Sequence, residues 1–337
     1  MSLPTATDTA QVAATQRSMN PAITALWVTA AFGGVAALAV LSPSGMQGFA
    51  QAVSDGLRLG LIIALIGMGL SLVFATSGVF NFAHGEFATL GALSAWWLNA
   101  IVGVPLILAI AIAVVIGAIV GVGSERGLWR PLRHRGVSLT STLVVAIGLG
   151  LASRNLFLFI FGGGSVSYSE YTVQQTISVL GVDMLPKQIV SEMICIAALV
   201  GVGIFLKVSS TGQSIRAVAD DQVLAGASGI EVNRTLTIVW ALGGAMAALG
   251  GALLGLFQQI DWAMGNELLL LIIAGVTLGG LDTVKGAVIG SVLVGIVTQV
   301  SVLFLPAELK YMTALAILIL ILLLRPQGIF GRRRRVG

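Results

Sequence analysis

Charge is what this chain has least of: 18 lysines and arginines and 14 aspartates and glutamates in 337 residues. A soluble domain has about a quarter of its residues charged. This sequence therefore cannot cover a water-facing surface and reads as a polytopic membrane protein, its charges confined to loops and an aqueous interior. The single cysteine, Cys195, lies in the apolar stretch MICIAALV, which excludes a disulfide framework and a thiolate cluster. Two histidines, His84 and His134, are too few for a multi-histidine metal site. No phosphate loop of the form G-x-x-x-x-G-K-S/T occurs, so ATP hydrolysis is not expected of this chain. No cofactor is expected either. The net charge of +4 does not point to nucleic acid, because nearly half of the basic residues fall in the 124–135 loop and the C-terminal tail. That distribution reads as membrane topology.

What the sequence does have is apolar length, with 57% hydrophobic residues and a mean hydropathy of +1.00. The apolar windows predict an all-α transmembrane helical bundle of about ten spans: 22–41, 56–74, 84–101, 106–123, 140–161, 188–206, 235–256, 268–280, 287–304 and 311–324. The eighth and tenth are short, and the eighth reads as broken or re-entrant. The 22–41 run is taken as a retained span; a signal peptide would have a shorter apolar core. Arginines crowd SERGLWRPLRHRG (124–136) and the end of the tail, and the 207–234 connection carries Lys207, Arg216 and Arg234. With alternating spans these segments share one side, expected to be cytoplasmic together with both termini of a bacterial-type inner-membrane protein. The predicted organisation is a polar segment 1–21, a permease domain 22–324 and a basic tail 325–337. The 43 glycines suit close helix packing.

Two polar stretches interrupt this pattern. KVSSTGQSIRAVADDQVLAGASGIEVNR (207–234) is too polar to span and carries helical periodicity. Ser210 and Thr211 are candidate N-caps, Gly226 and Gly229 candidate terminators, and Ile215, Val218 and Ala219 an apolar ridge beside Arg216, Asp220 and Asp221. A short amphipathic helix on the membrane surface follows, either a docking element or a solvated loop helix. The other stretch, GVFNFAHGEFATLG (78–91), sets Asn81, His84 and Glu86 inside an apolar run. Asn81 is an expected N-cap, and Glu86 falls near the positive end of the new helix. Such a break also suits the lining of a translocation path. Arg154, deep in the fifth span, should face a cavity or a carboxylate, while Glu192 is expected at the outer interface. One histidine and one glutamate make no metal site. As an acid–base pair, His84 and Glu86 lack a nucleophile, which weighs against an intramembrane enzyme.

FNFAHGEF after an apolar span, RAVADDQVLAGASGI in the polar connection and the ending LLLRPQGIFG together resemble permease subunits of branched-chain amino-acid ABC importers. The resemblance covers about Leu57 to Phe330. RAVADD looks like this family's version of the loop that importer permeases insert into the ATPase subunit, though it departs from the commoner Glu-Ala-Ala form. The resemblance implies separate ATPase subunits, a second related permease, an extracytoplasmic substrate-binding protein and a lipid environment. It makes Ile215, Arg216, Val218, Ala219, Asp220, Asp221, Gly226 and Gly229 the expected coupling residues, and Asn81, His84, Glu86 and Arg154 the expected path. The alternatives are a stand-alone secondary transporter or channel, or an ABC permease for urea or short amides.

Overall fold

The computed structural model describes residues 45–171, 174–179, 182–306, 309–324 and 328–330. The expected span 22–41, the segment 1–21 and the four arginines of the tail lie outside the described residues. The chain divides into two compact units, Met1–Ala50 and Gln51–Gly337. Of the first, only the opening residues of helix α1 are described.

The described helices are α1 (Gly45–Ser77), α2 (His84–Trp96), α3 (Leu106–Ser124), α4 (Arg130–His134), α5 (Leu139–Phe161), α6 (Pro186–Val208), α7 (Ser210–Asp220), α8 (Gln222–Ala227), α9 (Val232–Leu254), α10 (Met264–Gly279), α11 (Val284–Ser301) and α12 (Lys310–Leu324). Six of these regions are long and apolar enough to cross a membrane: α1, α3 with its continuation to His134, α5, α6, α9 and α11. The shorter helices α2, α10 and α12 fall on the other three expected spans within the described residues. α10 is one continuous helix, not a broken one. α1 runs well beyond the expected 56–74, because hydropathy marks only the lipid-crossing part of a helix. Its polar turns stay helical through Gln51, Asp55 and Arg58, with Asp55 and Arg58 paired at 3.1 Å.

The core is built from α1, α2, α9, α10 and α11. Residues 61–66 of α1 are almost wholly buried, as is most of α9. Small residues make this possible, since no hydrophobic force draws helices together in lipid and backbones must approach to gain contact. At the α2–α9 crossing a methyl group on Gly91 would overlap the Ala248 carbonyl, and one on Gly251 the Ala88 carbonyl. At the α1–α11 crossing a methyl on Gly60 would sit 2.7 Å from the Val292 Cα. α5 and α6, by contrast, are mostly exposed along their length.

Loop contacts sort the two ends of the bundle. On the arginine-bearing face, Trp129 stacks on Trp240 of α9 with ring centroids 5.4 Å apart, and Arg133 pairs with the fully buried Glu125. On that face too, the Ile329 and Phe330 amides donate to the carbonyls of Leu278 and Gly279 at the end of α10, at 2.8 and 3.0 Å. On the opposite face, Val166 and Ile260 form an antiparallel bridge. The buried Tyr168 hydroxyl there donates to the Ala252 carbonyl at 2.8 Å, and burial raises its pKa. The same face carries a small hairpin that apolar windows do not reveal, β1 (Ile177–Val179) against β2 (Val182–Met184). The grouping of 124–136 with 207–234, against 162–187 with 257–267, is the one expected from the charges.

Candidate functional site

α1 ends at Ser77, and Gly78 takes a left-handed φ of +69° that a glycine adopts without strain. The chain then turns back into the bundle. His84 Nε2 lies 3.0 Å from the Ile66 carbonyl, and Ile66 is about 16 Å above Ser77 along α1. Residues 78–83 therefore climb back up the bundle, and α2 starts at mid-depth instead of at its end. Asn81 is not the N-cap: α2 begins three residues later at His84, and the Asn81 side-chain oxygen accepts from the Ala83 amide at 3.0 Å. This local turn aims the chain at the helix start. A carbonyl can only accept, so His84 Nε2 carries the hydrogen and Nδ1 is left as a buried acceptor without a partner.

Glu86, in the first turn of α2, is 7% exposed. The Thr89 hydroxyl is its hydrogen-bonding neighbour and Arg154 the cation acting on it; Thr89 in turn accepts from the Gly265 amide at 2.8 Å. Oε2 of Glu86 has no hydrogen-bond partner. Arg154 reaches across from α5, whose Gly150 rests beside Ala83, and its guanidinium lies 4.6 Å from the centre of the Trp262 ring. Asn155 turns away to its own helix, donating to the Leu151 carbonyl. The structure thus sets Arg154 beside Glu86 and adds Trp262, whereas His84, two residues before Glu86 on α2, faces Ile66 of α1, and Asn81 stays in the turn before the helix. Among the described residues, Glu86 Oε2 and Arg154 Nε are buried without a hydrogen-bond partner, as are Asn81 Nδ2 and His84 Nδ1. A carboxylate, a guanidinium and an aromatic face, with donor and acceptor capacity to spare, can hold a small molecule bearing both charges. Among the described residues no group of three metal-ligating side chains occurs.

Toward the opposite face lies a second charged group that sequence reading missed. The Arg58 guanidinium pairs with Asp55 and sits 4.4 Å from the Phe257 ring centre, with the Lys187 ammonium 5.8 Å from the same ring. Glu192, half-buried, accepts from Gln188. An arginine inside the 56–74 window was the available signal; Phe257 and Trp262, ordinary aromatics in loops, gave none.

The 207–234 connection folds as α7 and α8. Its N-cap is Ser209, not Ser210 or Thr211, and the Ser209 hydroxyl accepts from the Gly212 amide at 2.9 Å. Asp221 caps α8, accepting from the Val223 and Leu224 amides at 2.8 and 2.9 Å. Gly229 ends the pair with a left-handed φ, while Gly226 lies within α8. The apolar ridge faces inward. Ile215 and Val218 are each 1% exposed, Ile215 in the main core and Val218 against Ala225 and Leu236. Ala219 is half-buried beside them. A three-turn helix lying on a membrane protein seats its apolar stripe on that protein first. Arg216, Asp220 and Asp221 are exposed, but the Arg216 guanidinium donates to the Leu206 carbonyl and Asp220 faces a cavity beside the end of α1; Val223 and Leu224 are 83% and 66% exposed.

An apolar bundle interrupted at mid-depth by a buried glutamate with an arginine beside it, with an amphipathic helix pair on one face, is that of a multi-pass membrane protein. Over residues 52–322 the chain matches the family described as branched-chain amino acid transport system / permease component, and it belongs to that family. It is 30% identical over 297 residues to the high-affinity branched-chain amino acid permease LivH of Salmonella typhimurium, covering 84% of this chain and 96% of that one. It is 28% identical over 310 residues to BraD of Pseudomonas aeruginosa, with the same coverage. It is 29% identical over 286 residues to a probable LivH of Methanocaldococcus jannaschii, covering 80% and 89%. No solved structure matches the chain.

Proposed function

We propose that this chain is the membrane-spanning permease subunit of an ATP-driven importer, with branched-chain amino acids as its solute. The observation that carries this reading is the Glu86–Arg154–Trp262 group at the start of α2. A zwitterion offers an ammonium to one charge and a carboxylate to the other, so that each finds a partner as water is removed. Urea or a short amide would leave both charges poorly matched. Asn81 and His84 complete the polar lining of the path. ATP hydrolysis resides in separate subunits that dock on the α7–α8 surface, and the inward ridge of Ile215 and Val218 transmits their motion to the bundle. A stand-alone carrier gives no reason for exposing Val223 and Leu224 beside charges. The arginine-bearing face is cytoplasmic, in an inner membrane, with both termini on that side, and 1–21 and 325–337 flank the permease domain 22–324. A second permease packs on the exposed helices, and an extracytoplasmic binding protein delivers solute to the opposite face. Purification through a tag on this chain from its native membrane should bring down an ATPase with a phosphate loop. Reconstituted, that complex should accumulate labelled leucine only with ATP on the arginine-bearing side. Accumulation by this chain alone, without ATP, would refute the reading.

A further inference from the structure

Beneath the end of α1, on the arginine-bearing face, lie two adjoining cavities of about 570 and 760 Å³, within the range of small-molecule sites. They share walls at Ala75 and Thr76 of α1, Ala219 and Asp220 of α7, and Asp282. They are separate from the Glu86–Arg154 group, which sits level with Ile66, about 9 Å further up α1 than the nearest lining residue, Leu72. The larger cavity has an apolar floor of Leu72, Leu206, Ile215 and Val284, with Lys207 and Lys285 at its edge. Among the described residues, no hydrogen bond or ion pair engages the side chains of Lys207, Lys285 or Asp282, whereas the Arg216 guanidinium is occupied by the Leu206 carbonyl.

This pattern selects its ligand. A simple anion would meet Asp282, a simple cation would meet Lys207 and Lys285, and a purely apolar molecule would strip water from these three. A zwitterion with an apolar body matches every wall. We propose that this vestibule binds such a solute from the arginine-bearing side, and that the bound solute restrains α7 and slows further import. This rests on the importer reading above and adds the regulation of transport by its own product. The coupling is physical: α7 supplies part of the wall, so an occupant that also touches α1 and α11 favours the α7 position in which the cavity is closed around it.

The test uses the assembled transporter in proteoliposomes, with α7–α8 facing the lumen and the lumen loaded with L-leucine, L-lysine or acetate. Luminal leucine should lower the initial rate of labelled uptake several-fold, and lysine and acetate should not. Asp282→Asn and Lys285→Gln should each weaken inhibition by about tenfold, the loss of one charge-assisted contact, with uptake into unloaded vesicles unchanged. Equilibrium binding of labelled leucine to the detergent-purified complex, without ATP, gives a second readout that the same substitutions should weaken. Uninhibited uptake at high luminal leucine, or inhibition and binding indifferent to both substitutions, would overturn the proposal. If unloaded vesicles fail to import while leucine binding still depends on Asp282 and Lys285, the site stands and the importer reading falls.

Discussion

Glu86 and Arg154 are each costly inside a membrane and tolerable as neighbours. Their geometry is not that of a closed ion pair: Glu86 and Arg154 are not among the pairs within 4.0 Å, such as Arg58–Asp55 and Arg133–Glu125. Each therefore keeps capacity for a third group. Glu86→Gln should cut leucine uptake about tenfold or more, as expected for removal of one partner of a desolvated charge pair, with membrane abundance nearly unchanged. Uptake normalised to abundance checks this, and parallel losses would reduce Glu86 to a support of the helix start. Asn81, His84, Glu86 and Arg154 were legible in the sequence because a polar residue in an apolar run stands out against its surroundings. Trp262 was not, because an aromatic in a loop has no such contrast and only folding brings it to Arg154.

For the α7–α8 element, periodicity revealed the amphipathic helix but not what its apolar stripe touches. A stripe has one orientation in sequence and two candidate partners in space. The bundle took Ile215 and Val218, which leaves Val223 and Leu224 as the apolar residues exposed to the proposed ATPase. The two sets of residues should fail differently. Val218→Asp forces a charge between Ala225 and Leu236 at a cost of several kcal/mol, so the protein should lose thermal stability and abundance before it loses any partner. Val223→Asp should leave the melting temperature within a degree or two, since exposed substitutions shift stability by only about 0.5 kcal/mol, and should abolish ATPase copurification. Thermal shift and pull-down on both variants decide the assignment, and an ATPase retained by Val223→Asp would move the docking surface elsewhere. The start of α1, at Gly45 instead of 56, was misread for a related reason, since hydropathy stops where lipid stops and backbone hydrogen bonding does not.

For the molecule as a whole, the order of helices and the grouping of loops followed from span counting and arginine bias, because both are properties of composition. The close crossings did not, because many of the 43 glycines look alike until neighbours are known. Sidedness can be tested with cysteines in a Cys195→Ser background. Arg135 and Ser167 are both exposed, on opposite faces, and substituting them avoids Arg133, which neutralises the buried Glu125. In intact cells an impermeant thiol reagent should label Ser167→Cys and spare Arg135→Cys until the membrane is opened. The reverse pattern would invert the topology.

Measured from the tight α1–α11 crossing at Gly60, Ser77 lies about 25 Å away along α1, while Arg58 lies only about 3 Å away on the other side. At the Ser77 end the Gln222 side chain of α8 donates to the Thr76 carbonyl, so α8 has a grip there. A tilt of about 10° about that crossing carries Ser77 about 4 Å sideways, by the helix rise, and moves Arg58 by well under 1 Å. A tilt driven through α8 would thus be a broad stroke at Ser77 and only a fine adjustment among Arg58, Phe257 and Lys187. Arg58, 4.4 Å from the Phe257 ring centre, stays within cation–π range through so small a shift, so that contact holds while the far end of α1 moves.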